Sequence, residues 1–385
     1  MSTKGKKYCI FSAQYFPHLG GVERYTYNLA KFLGKHGNEV VIVTSNVEGL
    51  AAYEVMEGIR VYRVPCWSLL AGRYPFLKPD KEFRKINRIL MRMKFDLVIV
   101  NTRFYPHSVY GAWFARRQKT RCIMIDHGTG HMTVHNKIGD AAEQIVEHGL
   151  TAVDKILCKD YYGVSMACME WLKHFHIDGK GALYNAVDLD QILELQKGPC
   201  RDFRRECGIP ENGIVISFTG RLLKEKGIYQ LIDAVKVIRK SNPLVYLLLA
   251  GDGDEEDGVQ EKADEGVIPV GRLEFTDIVA MLKQTDIFCL PSDSEGFSTS
   301  LLEAASCGCY LVTTRRGGAG ELLPDGSFGT IMEDNRPETV LKTMQQVLDD
   351  PEARKSGIAK TFERLKKNFT WDITAQKVEK IAEEK

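Results

Sequence analysis

Short runs of β-branched and aliphatic residues alternate with segments of helical period along the whole chain, the pattern of parallel βαβ units. In the first half, the runs at 8–13, 39–44, 60–64, 96–101 and 122–126 predict strands, and between the first two Tyr25, Leu29, Phe32 and Leu33 share one helical face. The second half repeats the arrangement with runs at 215–219, 245–250, 267–270, 286–291 and 310–313. Continuous apolar stretches such as 244–250 predict strands buried on both faces, as in a parallel sheet covered by helices. The strand period is lost between Asn185 and Gly213, where Lys197, Gly198 and Pro199 interrupt it. The expected architecture is α/β, with two doubly wound halves whose sheets present their carboxyl ends to a ligand cleft.

Composition narrows the function classes. At 385 residues the chain is long enough for two full cores. Lys plus Arg number 52 against 51 Asp plus Glu, so a net charge of +1 gives no global attraction to nucleic acid, and anion binding has to be local. With 44% hydrophobic and 27% charged residues the chain is neither disordered nor fibrous. Its longest apolar runs fall far short of the roughly 18–20 residues of a membrane span. Residues 1–7 are basic, but the apolar run at 8–11 is too short for a signal h-region, so a cytosolic location is expected. Ten cysteines without a CxxC pair read as reduced, buried small hydrophobes.

Three stretches carry candidate chemistry. The first, 291–304 (PSDSEGFSTSLLEA), follows a buried strand and opens a helix, with Ser298 as N-cap and Gly308 as stop. Backbone N–H groups from Ser298 through Thr299 to Leu301 then converge at the positive helix end, an anion site. Glu295 lies before it and Glu303 a turn inside, two acceptors suited to hydroxyls of a sugar and a ribose; the plainer reading makes both helix-dipole charges. The second stretch, 218–227 (FTGRLLKEKG), leaves a strand with Arg221 and Lys226, which can neutralise a diphosphate or form a solvated basic turn. In the third, Gly20 and Gly21 of 18–23 (HLGGVE) close the first strand-to-helix turn, where small residues let backbone approach phosphate. Neither GxGxxG nor GxxxxGK[ST] occurs, which leaves a dinucleotide-dependent dehydrogenase without support.

Taken in order, these stretches, with Asn185-Ala186-Val187-Asp188, Gly251-Asp252-Gly253 and Gly317-Gly318 to Glu321, resemble the family 4 retaining glycosyltransferases over nearly the whole chain. The Glu, seven residues, Glu element is specific in this company. The resemblance implies the GT-B fold, two Rossmann-like domains with parallel sheets facing each other across a cleft. The domains are placed at 1–190 for the acceptor and 191–368 for the nucleotide sugar, with a helix at 369–385 packing back on the first. It also implies that Arg221 and Lys226 hold the diphosphate, that Glu303 binds the ribose, and that Glu295 meets the donor sugar beside Gly296 and Phe297. Val270, Gly271 and Arg272 would lie beside the base, and His127 would face the sugar across the cleft. Alone, His127 reads as an ordinary loop histidine. His131 and His135 look like a metal set with it, but their loop has no periodicity to fix them, so no metal is assigned.

The implied activity is metal-free, cofactor-free, retaining transfer from a nucleotide sugar, UDP first and GDP second, to a saccharide or lipid-linked acceptor in envelope polysaccharide, glycolipid or glycoprotein synthesis. A sugar-nucleotide epimerase, a phosphorylase and a noncatalytic sugar-nucleotide-binding protein are the alternatives. The segment from Lys78 to Lys94 holds seven Lys or Arg against Asp80 and Glu82, a net +5, with Phe83, Ile86, Ile89, Leu90 and Met93 on one helical face. Two readings stand: that face packs on the sheet with its charges in water, or the helix also meets anionic lipid at the inner face of the cell membrane.

Overall fold

The computed structural model describes residues 5–18, 20–69, 74–131 and 136–384. The chain forms two units, Met1–Asn185 with Trp371–Lys385, and Ala186–Thr370. The division falls between 185 and 186, ahead of the expected 190, because Val187 already belongs to the second unit: it bridges Thr370, and its N–H donates to the Phe369 carbonyl at 3.1 Å.

The first unit is built on an eight-stranded sheet. Its strands are β1 (Lys7–Phe11), β2 (Glu39–Asn46), β3 (Tyr53–Met56), β4 (Ile59–Leu69), β5 (Tyr74–Leu77), β6 (Leu97–Asn101), β7 (Cys122–Asp126) and β8 (Asp160–Gly163). The order is β3-β4-β2-β1-β6-β7-β8, with β5 on β4. Pairing is parallel except for β3 and β5, which run antiparallel to β4. Phe11 stands opposite Val43 and Val100, so β1 and β6 end nearly level while β2 runs on to Asn46. These central strands are buried on both faces, as their continuous aliphatic runs require.

Strands β3, β5 and β8 lack that signature. β3 alternates half-buried and exposed residues, and β8 carries Asp160 and two tyrosines where an aliphatic run would be expected. The basic segment forms the helix Lys81–Arg92, capped by the Asp80 carboxylate accepting from the Phe83 N–H. Ile86 and Leu90 are buried, and Phe83 and Met93 pack partly against the core. Ile89 does not join them: it is 37% exposed, because it sits one residue, about 100°, around the helix from Leu90.

In the second unit six strands, β9 (Ile214–Thr219), β10 (Val245–Ala250), β11 (Val267–Gly271), β12 (Ile287–Leu290), β13 (Tyr310–Thr314) and β14 (Thr330–Met332), pair in parallel in the order β11-β10-β9-β12-β13-β14. The helix Ile228–Arg239 buries Ile228, Leu231, Ile232, Val235 and Ile238, the face that its spacing predicts. Chain order reverses between β9 and β12, and in such sheets the carboxyl ends at a reversal are the usual ligand position.

Candidate functional site

Both charged motifs flank that switch point. Residues 220–227 leave β9 and residues 291–298 leave β12. Lys226 closes the single 3-10 turn Lys224–Lys226, and Gly227 follows with φ +70°. A Cβ at Gly227 would stand 2.2 Å from the Pro291 carbonyl oxygen, so only glycine lets the two loops come this close. The Asp293 N–H donates to the Glu225 carbonyl at 2.7 Å and ties them further. Lys226 Nζ then donates to Glu295 Oε1 at 2.7 Å, the side chains 21% and 14% exposed. An ammonium has three N–H donors, so this bond leaves two for phosphate oxygens while Glu295 sets where the charge sits.

The loop behind Glu295 is held from β13. The Gly318 N–H donates to the Gly296 carbonyl at 3.1 Å, and Gly317, at φ +51°, passes so near that a Cβ would lie 2.3 Å from that oxygen. Phe297 is buried edge-on to Phe369 at 5.2 Å. The helix Thr299–Ser306 starts after Ser298, but the serine hydroxyl does not cap it; Ser298 Oγ pairs with Ser300 Oγ at 2.9 Å. Ser298 thus stands at the N-cap position, as its sequence predicts, with no cap hydrogen bond from its own side chain. Leu301 is buried under the helix and Glu303 is half-buried one turn along it.

The turns after β9, β10 and β11 are laced together. The Leu222 N–H donates to the Asp252 carbonyl at 2.7 Å and the Gly251 N–H to the Gly271 carbonyl at 2.9 Å. Arg272 Nη1 meets Asp252 Oδ2 at 3.2 Å in an exposed pair, with Val270 and Gly271 half-buried before it and Arg221 exposed on the first turn.

Gly20, Gly21 and His127 belong to the first unit. Gly20 is the N-cap of the helix Gly21–Lys35, and the buried Glu23 folds back over it, its carboxyl pKa raised by burial. His127 follows β7, half-buried, with Nε2 3.2 Å from Asn101 Oδ1. Because Asn101 Nδ2 donates to Thr26 Oγ1 at 2.7 Å, its carbonyl faces the ring, so Nε2–H donates and Nδ1 is left as an acceptor. Burial pushes the His127 pKa down to about 3, so the ring is neutral. Tyr25 packs edge-on against it at 4.8 Å and against Trp371 at 5.1 Å.

Residues 201–364 match the family described as Glycosyl transferases group 1, and residues 19–191 match Glycosyltransferase Family 4. The chain belongs to the family 4 glycosyltransferases. An uncharacterized glycosyltransferase of Methanocaldococcus jannaschii is 26% identical, with 98% of each chain covered. The phosphatidylinositol N-acetylglucosaminyltransferase GPI3 subunit of Saccharomyces cerevisiae is 24% identical over 95% of this chain and 80% of its own. Among solved structures, the Anabaena protein Alr3699/HepE in complex with UDP matches with a TM-score of 0.74 at 18% identity, covering 98% of this chain and 99% of that one. Sucrose-phosphate synthase of Thermosynechococcus elongatus matches at 0.75, 18% identity and 98% of both chains. The fold of this glycosyltransferase is GT-B.

Within the glycosyltransferase, the structure joins Lys226 to Glu295 and sets Gly296 to Leu301 beside them, while Arg221 and Arg272 stay exposed on neighbouring turns. His127 and His131, to which the sequence assigns no metal, do not share a site. His127 turns to Asn101, His131 turns to His148 and His174, and His135 lies outside the described residues. Asn101 carries no signal of its role in the sequence, where it reads only as the last residue of a strand.

Proposed function

We propose that this glycosyltransferase moves a sugar, with retention, from a nucleoside-diphosphate sugar to a hydroxyl of a saccharide or lipid-linked saccharide, using UDP-sugars before GDP-sugars. The observation that carries the reading is the Lys226–Glu295 pair at the β9/β12 switch point, next to a helix whose N-cap Ser298 side chain makes no cap hydrogen bond. Support for the nucleotide comes from the Alr3699/HepE complexes with UDP and with UDP-glucose. In the step itself the bond from anomeric carbon to phosphate oxygen breaks, and its electron pair stays on the diphosphate. Arg221, Lys226 and the helix N–H groups stabilise that charge in place of a metal. The acceptor hydroxyl attacks from the leaving-group face and its proton passes to the departing phosphate. Glu303 takes the ribose hydroxyls, Glu295 orients the sugar, and His127 Nδ1 accepts a hydrogen bond from a sugar hydroxyl.

A thermal-shift series with UDP-, GDP-, ADP- and CMP-sugars tests the donor, since a ligand of the folded state raises Tm by mass action. One nucleotide class should shift the full-length protein, and its labelled sugar should appear on an acceptor with the anomeric configuration kept. Isomerised donor or phosphate-dependent cleavage would replace the reading by an epimerase or a phosphorylase.

The acceptor side is proposed to approach anionic lipid. Arg84, Lys85 and Arg88 are exposed on the helix Lys81–Arg92, which joins the helix Pro106–Gln118 through Tyr110 Oη donating to Asn87 Oδ1 at 3.0 Å. The helix Lys137–Leu157, which contacts Pro106–Gln118, exposes Ile145 at 74% and Ile156 at 65%. No helix among the described residues is long and apolar enough to cross a membrane. Cosedimentation with phosphatidylserine-containing vesicles should fall with salt and with Arg84, Lys85 and Arg88 changed to Ser, each basic residue contributing about 1 kcal/mol. Equal binding to neutral vesicles would remove the electrostatic part of the proposal.

A further inference from the structure

We propose that His131, His148 and His174 form a binding site for one divalent transition-metal ion, zinc by its ligand set, in the first unit and apart from the donor-binding residues. The three imidazoles come from three elements: the loop after β7, the middle of the helix Lys137–Leu157, and the turn Lys173–Phe175. One ring nitrogen from each lies within 4.8 Å of the other two. Bonds of about 2.0–2.1 Å to a tetrahedral zinc place its nitrogen ligands roughly 3.3 Å apart, so the rings close by roughly 1.5 Å at most around the ion. His148 and His174 are exposed, free to make that adjustment and open to an arriving ion.

The surroundings are those of a ligating set. His131 Nδ1 lies 2.7 Å from Glu147 Oε2, and a carboxylate there holds the proton on Nδ1 and leaves Nε2 as the ligand atom. Glu147 is buried at 3% exposure, and its other oxygen is held by the equally buried Arg103 guanidinium at 2.8 Å. The His131 ring is thereby fixed from behind by a carboxylate that cannot turn to solvent. His174 stacks on Trp171 at 4.8 Å with the planes 4° apart, and the His148 ring packs on Phe175 at 4.7 Å. Three imidazole nitrogens suit zinc, copper or nickel; magnesium and calcium prefer oxygen ligands, which this set does not offer. The ion would clamp the loop that begins at His127 to a helix and a turn of the same unit, which makes its role structural.

Untagged, chelator-treated full-length protein, titrated with Zn2+ by calorimetry and with Co2+ by visible absorption, tests the site. The expected result is one ion per chain, a Co2+ d–d spectrum, and a Tm raised by Zn2+. His148→Ala and His174→Ala, both at exposed positions, should each weaken Zn2+ binding by more than the roughly 10–100-fold cost of losing an outer-shell partner, with the metal-free Tm unchanged. Absence of stoichiometric binding, or equal affinity in the parent and both variants, would overturn the proposal.

Discussion

Lys226→Ala is expected to lower kcat/KM for the donor by about 2–4 kcal/mol of transition-state stabilisation, a loss of roughly 30- to 1000-fold. In the proposed mechanism the charge it removes stands where the leaving diphosphate gathers negative charge, and its side chain is only 21% exposed, so water replaces it poorly. The same substitution leaves the Glu295 carboxylate without its 2.7 Å partner, and some loss of Tm should accompany the loss of rate. A double variant separates the two effects. Adding Glu295→Gln removes the unpaired carboxylate and should restore Tm, while the rate stays low because the cation is still missing. Lys226→Arg, which keeps a charge, should fall between parent and alanine variant. Near-normal kinetics in a folded Lys226→Ala protein would end the assignment of Lys226 to the diphosphate.

The reach of sequence reasoning follows from which relations are local. The 218–227 and 291–304 stretches were legible because each is a strand, a polar loop and a helix in succession, with the charged residues inside the loop. Their meeting was not legible: Lys226 and Glu295 are 69 positions apart, and they touch because β9 and β12 are neighbours at a reversal of strand order. The histidines show the same limit in reverse. His127 and His131 are close in the chain, but Asn101 draws one ring and Glu147 the other, and His131 finds its companions 17 and 43 residues downstream. Strands β8 and β14 were invisible because four and three residues, rich in polar groups or flanked by turns, carry no period to read.

Trp371→Ala is expected to cost the first unit about 3–5 kcal/mol, the range for deleting a buried tryptophan, and to lower its Tm by roughly 6–20 °C for a unit of that size. Trp371 is 1% exposed and opens the helix Trp371–Glu383, which returns to the first unit after the chain has completed the second. That helix is also held by Thr374 Oγ1 donating to the Tyr184 carbonyl at 3.0 Å and by His36, which lies 2.8 Å from Asp372 and 3.2 Å from Glu379. Burial opposes a charge on His36, but the two carboxylates outweigh it and raise its pKa, so these ion pairs are strongest below neutral pH and fade as pH rises through the raised value. None of them fills the volume that the indole leaves. Because Tyr25 lies between Trp371 and His127, the cavity lets Tyr25 relax and loosens the His127 ring as well. The residues proposed to bind the nucleotide lie in the second unit, so nucleotide affinity should stay near the parent value while transfer slows. Calorimetric scans of the parent, Trp371→Ala and Trp371→Phe proteins check the order, with the phenylalanine variant recovering most of the loss. A Trp371→Ala scan within about 2 °C of the parent, well short of the shift that such a cavity produces, would mean that this helix contributes little to the unit, and that the Tyr25 contact with His127 does not depend on it.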